Sequence, residues 1–262
     1  MTEYVHGYGT REQRRLVEQA EHWRQRLISD GTKLEPGTRL LEVGCGVGAV
    51  LAILGREFPG VRLFGVDIEP KQLTFARRHL EEAGVEATVT QADALSLPFP
   101  DESFDHVWMM WLLEHISDPP AALREARRVL VPGGAITAIE VDYATTRSEP
   151  STPGLEALFR AMVLGMKASG WSDAGTRLPG WLREAQFRNV DEGERPFWWQ
   201  NDDLLGQANY AADVMESALD ALSQLPGASR EELKVGLEDL RGLPRHPGAG
   251  LGWVMHKSTA VR

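Results

Sequence analysis

The chain has a single cysteine, Cys45, in 262 residues, so no internal disulfide can form and stability must come from an apolar core. No set of Cys and His shows zinc-ligand spacing, and no metal is expected. No run approaches the roughly 20 apolar residues that span a bilayer. No apolar stretch follows a basic start, so neither a secretory signal nor a membrane partner is expected. Positive charge is scarce too: 28 Lys and Arg stand against 38 Asp and Glu, a net charge of −10. That balance disfavours a nucleic-acid partner, which needs a concentrated basic surface. None of Tyr4, Tyr8, Tyr143 and Tyr210 has a lysine four positions later, the pair that a short-chain reductase uses. These absences point to a soluble protein of a reducing compartment, with a cytoplasmic location as the expectation.

What is present is an alternating pattern. Leu16, Ala20, Trp23 and Leu27 share one face of a predicted helix from about Glu12 to Ser29. Strands are then expected at Arg39 to Val43, Arg62 to Val66, Ala87 to Thr90, Phe104 to Met110 and Ala135 to Val141. Helices at Leu51 to Phe58, Pro70 to Ala83 and Ala121 to Leu130 separate them. Phe104 to Met110 is continuously apolar, as a parallel strand covered on both faces should be. The βαβα rhythm predicts an α/β doubly wound, Rossmann-like parallel sheet. After Asp142 the rhythm breaks. Thr145 to Gly154, with two prolines, reads as a loop. Helices follow at Leu155 to Ala168, Leu178 to Gln186, Asp203 to Leu225 and Arg230 to Arg241, with strands at Val190 to Gln200 and Leu251 to Val261. These later helices read as an insertion covering one sheet, not as a separate domain.

In such sheets a ligand sits beyond the carboxyl ends of the strands. Gly44, Gly46 and Gly48 follow the first strand, where missing side chains allow a sharp turn and close backbone approach. The next helix presents free N–H groups there. Asp67 ends the second strand about 20 residues on, where a carboxylate can accept both ribose hydroxyls. Gly44, Gly46 and Ala49 also satisfy the dinucleotide spacing, so these residues alone predict only a nucleotide-containing ligand. Glu42, which can reach an ammonium group, and Asp93, which can accept from an adenine amino group, favour an adenosyl amino acid over NAD(P).

With these residues placed, the chain resembles class I S-adenosylmethionine-dependent methyltransferases, especially the small-molecule branch similar to ubiquinone- and menaquinone-biosynthesis enzymes. The resemblance rests on Leu40 to Gly48 (LLEVGCGVG), Gly65 to Ile68, Gln91 to Ala94, Leu97 to Asp105, Glu114 to Pro119 and Arg128 to Gly134. It covers about residues 38 to 142. It implies seven mostly parallel strands with an antiparallel last strand at Leu251 to Val261. It implies one domain: an N-terminal lid (1–35), a cofactor core (36–142), a substrate cap with the sixth strand (143–250) and the last strand (251–262). It implies that Gly44, Cys45 and Gly46 approach the methionine part, with Met109 beside it and Glu42 supporting its amino group. Asp67 would hold the ribose, Ile68 would pack on adenine, and Asp93 and Ala94 would read its edge. Tyr4 or Tyr8 would close on the methionine carboxylate.

A sulfonium donor is already activated, so the protein chiefly aligns the acceptor and excludes water. A base is needed only if the acceptor loses a proton. His115 is the leading candidate, followed by Glu114, Asp142 and Tyr143. Asp118-Pro119-Pro120 lies too late for a DNA amino-methyltransferase motif and is better explained as a helix start. The fourth strand ends in Trp108-Met109-Met110-Trp111, with no carboxylates for magnesium. Trp108, Trp111, Tyr143 and Trp199 are the expected acceptor contacts. Trp171, Trp181, Trp198, Phe159 and Phe197 add to an aromatic second half that suits a fairly large apolar acceptor, as in secondary metabolism. A fold diverted to a cyclase or partner subunit is the alternative reading, with an NAD(P) oxidoreductase behind it. Monomer and homodimer both stay open.

Overall fold

The computed structural model describes residues 9–262, so Tyr4 and Tyr8 lie outside the described residues. In chain order its main elements are α1 (Thr10–Trp23), β1 (Arg39–Val43), α2 (Ala49–Glu57), β2 (Arg62–Asp67), α3 (Pro70–Glu82), β3 (Ala87–Gln91) and β4 (Phe104–Met110). There follow α4 (Pro119–Val129), β5 (Leu130–Glu149), α5 (Pro153–Ser169), α6 (Ala174–Glu184) and β6 (Glu194–Gln200). The chain ends with α7 (Asp202–Ser217), α8 (Leu219–Leu222), α9 (Arg230–Gly242) and β7 (Gly250–Val261). The strands form one seven-stranded sheet in the order β3-β2-β1-β4-β5-β7-β6.

β2, β1, β4 and β5 pair in parallel, as does β3 with β2. β6 and β7 are antiparallel, Glu194 facing His256 and Gln200 facing Gly250. The expected mixed sheet with an antiparallel last strand is therefore present. Helix starts follow their local chemistry: the Asp118 carboxylate accepts the Ala121 N–H at 2.9 Å and Pro119 opens α4. The helix-start reading of Asp118-Pro119-Pro120 holds.

Two expectations change. The segment from Thr145, read as a loop, continues β5 to Glu149. Its β-branched Thr145 and Thr146 suit a strand, the prolines fall beyond it, and the Val254 N–H of β7 donates to Thr145 Oγ1 at 2.8 Å. The first helix ends at Trp23, and Arg24–Ile28 is wound as a π-helix with Leu27 and Ile28 fully buried.

The described chain divides into two compact units. One takes residues 9–140, Arg177–Gly193 and Lys257–Arg262; the other takes Val141–Thr176 and Glu194–His256. The glycine turn and the carboxyl ends of β1 to β4 all belong to the first.

Candidate functional site

The turn after β1 is fixed by backbone pairing. The N–H groups of Gly44 and Cys45 both donate to the Val66 carbonyl, at 2.8 and 2.9 Å. Gly44, Gly46 and Gly48 have φ of 76°, 47° and 72°, a region that side-chain-bearing residues enter only at a cost. At Gly44 an added Cβ would lie 2.7 Å from Leu112 Cδ1, whereas at Gly46 it would meet nothing within 4 Å. Gly46 thus borders open space, and Gly44 is pressed against the segment that follows β4.

Asp67 ties this turn to β2. Its Oδ2 accepts the Gly46 N–H at 2.8 Å and its Oδ1 accepts the Glu69 N–H at 2.9 Å. Burial nevertheless outweighs these bonds and raises its carboxyl above the ordinary value. Beside it Ile68 is 47% exposed, an apolar side chain left open, and Leu95 is 38% exposed. Two residues past β3, Asp93 is exposed and its Oδ1 accepts the Leu95 N–H at 2.9 Å. Glu42 is buried on β1. Its Oε2 has no hydrogen-bond partner among the described residues. Burial, then the charge of Asp67, pushes its carboxyl well above the ordinary carboxylate range.

Past β4 the chain turns through Trp111, a non-glycine residue with φ of 49°, into a single 3-10 turn at Leu113–His115. His115 Nε2 lies 3.3 Å from Glu114 Oε1, with the imidazole a quarter exposed and Glu114 buried. Below them, fully buried Glu140 on β5 accepts the N–H groups of Leu112 and Leu113 at 3.0 and 2.8 Å on one oxygen. Burial, then the charge of Glu114, holds the Glu140 carboxyl well above its ordinary value.

A methyltransferase domain model matches residues 41–138. A demethylmenaquinone methyltransferase of Thermus thermophilus is 37% identical over 118 residues, 45% of this chain and 53% of that protein. A demethylmenaquinone methyltransferase of Listeria monocytogenes is 31% identical over 170 residues, 59% of this chain and 69% of that protein. The chain belongs to the class I S-adenosylmethionine-dependent methyltransferases. It spans about half the length of the first curated relatives it matches. The [4+2]-cyclase SpnF is similar in fold, with a TM-score of 0.58 at 22% identity over 93% of this chain and 81% of that one.

The residues of this chain fit the family's nucleoside cofactor. An ammonium group would meet the orphaned Glu42 oxygen, an adenine face would cover the open Ile68 side chain, and the space beside Gly46 admits a close ligand. Gly44, Gly46, Asp67, Ile68, Asp93 and Ala94 are brought to one end of the parallel strands. Cys45 is buried, its Sγ so close to Gly65 that a Cβ there would lie 2.8 Å away, so only its backbone belongs to the turn's surface.

Three expected side chains prove to be core. Met109 is fully buried between Val43 of β1 and Ala138 of β5, so its side chain is not on an open surface. Trp108 is also fully buried, with Lys257 Nζ 5.5 Å from its ring centroid. Trp199 is buried between Phe197, stacked at 5.3 Å, and Trp253 at 4.6 Å. Positions two apart on a strand share a face, and on this one Trp199 is buried while Phe197 and Trp253 are half-buried. Trp111 and Tyr143 keep part of their surface exposed. Sequence reasoning missed Glu140 and Leu112 altogether, because an isolated acid on an apolar strand and a leucine after a strand carry no motif.

Among the described residues no group of His, Cys, Asp and Glu could hold a metal ion, and no helix is long and apolar enough to cross a membrane.

Proposed function

We propose that this chain transfers the methyl group of S-adenosylmethionine to a small apolar or aromatic organic acceptor by in-line displacement. The observation that carries the reading is the glycine turn locked to Asp67, beside the buried Glu42 carboxyl, whose Oε2 has no partner among the described residues. The bound sulfonium supplies a methyl group that needs no further activation. Gly44, Cys45 and Gly46 offer backbone to its methionine part and Glu42 meets its ammonium. Asp67 accepts from the ribose hydroxyls, Ile68 covers one adenine face, and Asp93 and Ala94 meet the adenine edge.

Where the acceptor must lose a proton, the His115 imidazole takes it and the Glu114 carboxylate orients the ring. Trp111 contributes aromatic surface to acceptor binding. The reduced state of a lone buried cysteine suits a cytoplasmic enzyme.

Calorimetric titration with S-adenosylhomocysteine is expected to give a one-to-one complex, with no response to NAD or NADP. With S-adenosylmethionine and a panel of phenolic and polycyclic acceptors, S-adenosylhomocysteine should accumulate only when an acceptor is present. Turnover confined to small, highly polar acceptors would overturn the acceptor class. Tight binding without any methylated product would overturn the transfer itself.

A further inference from the structure

Glu140 is an expensive residue to keep where it is: fully buried, in mid-sheet, on a strand whose neighbouring positions Ala138, Ile139 and Val141 are buried and apolar. It forms no ion pair with a Lys or Arg among the described residues; its Oε1 is committed to two peptide N–H groups, and its Oε2 has no partner among the described residues. Those two peptides belong to Leu112 and Leu113, the residues that join β4 to the 3-10 turn. Leu112 packs on Gly44 at the cofactor turn, and Glu114 and His115 follow directly in the turn. One carboxyl group therefore holds the short segment that touches the glycine turn on one side and carries the acid–imidazole pair on the other.

We propose that Glu140 is a positioning residue for methyl transfer, holding the Leu112–Leu113 peptides so that Leu112 backs the cofactor turn and Glu114–His115 faces the acceptor. The proposal rests on the methyltransferase reading of this site. It also explains why the residue after β4 adopts a left-handed conformation at Trp111: the peptides beyond it are turned back toward β5, where a carboxyl oxygen receives two N–H groups. Because the Glu140 carboxyl is held toward its neutral form, glutamine is close to an isostere, with its amide oxygen able to accept the same two N–H groups. Alanine leaves both N–H groups buried without an acceptor.

The test compares the wild-type chain with Glu140→Gln and Glu140→Ala, using S-adenosylhomocysteine calorimetry and NMR titration of the His115 ring. Glu140→Gln should keep the dissociation constant within about threefold of wild type and leave the His115 resonances in place. Glu140→Ala should weaken binding at least tenfold and move the His115 signals, and the glutamine variant's rescue distinguishes positioning from bulk packing. If Glu140→Ala does not fold, Leu112→Ala replaces it and should weaken S-adenosylhomocysteine binding at least tenfold while the fold is kept. Wild-type affinity and unchanged His115 signals in the alanine variant, or loss of both in the glutamine variant, would overturn the proposal. Absence of S-adenosylhomocysteine binding by the wild type would instead remove the functional reading, and the His115 comparison would still decide whether Glu140 sets that turn.

Discussion

At Gly46 two costs separate cleanly. Its φ of 47° is poor for any residue with a Cβ, yet an added methyl group would touch no protein atom within 4 Å. Gly46→Ala should therefore lose only about 1–2 kcal/mol of stability, while S-adenosylhomocysteine affinity falls at least tenfold because the methyl group occupies ligand space. Urea denaturation beside calorimetry checks both halves. Glu42 makes a complementary case. Its carboxyl is raised by burial and by Asp67, so the folded state binds its proton more tightly than the unfolded chain does. Its contribution to stability is then fully present below the ordinary carboxylate value and is lost as pH rises through the raised folded value. Glu42→Gln should flatten that decline in urea midpoints, and should weaken S-adenosylhomocysteine binding because glutamine cannot ionise to meet the ammonium. An unaltered pH dependence would contradict this account of Glu42.

At the scale of elements, β4 and β7 carry the informative groups. His106 on β4 has Nε2 3.0 Å from Thr137 Oγ1, and burial followed by the charge of Lys257 lowers its pKa from 6.5 to about 4. The stability tied to neutral His106 is present above pH 6.5 and is lost as pH falls through about 4. His106→Gln should make denaturation midpoints less sensitive to acid across that window. Lys257 on β7 is buried, donating to Leu27 O at 2.7 Å and Thr32 Oγ1 at 2.9 Å, and also to Asp30 O. These bonds anchor the residues at and just beyond the end of the π-helix, so Lys257→Met should cost about 2–4 kcal/mol, most of it from carbonyls left without donors. The same variant should move the His106 ring titration upward, since a repelling charge has gone; a fixed His106 midpoint would contradict the coupling.

For the whole molecule, the residues proposed to face the nucleotide lie in the unit formed by residues 9–140, Arg177–Gly193 and Lys257–Arg262. A ligand at a hundred times its dissociation constant stabilises what it binds by about 2.7 kcal/mol. Hydrogen exchange with S-adenosylhomocysteine should show new protection at residues 42–48, 65–69 and 91–95. Protection confined to Val141–Thr176 and Glu194–His256 would place the ligand elsewhere. The cofactor end of this unit was legible in the sequence because each part of it is local. Gly44 to Gly48 sit on one strand-to-helix turn, and Asp67 and Asp93 each close a strand of the same repeating unit. The burial of Trp108, Met109 and Trp199 was not legible, because position along a strand does not say which of its faces meets the core.

The sequence by itself determined the turn, the strand-end acids and the family, since backbone conformation and βα spacing are written within a few consecutive residues. It did not determine the role of Glu140, whose partners Leu112 and Leu113 lie 28 and 27 residues away. Nor did it mark Lys257, which reaches Leu27 across 230 positions. Only the tertiary structure decided these, because a buried polar group must find its partner in space, and the order β1-β4-β5-β7 sets which distant residues are near enough to serve.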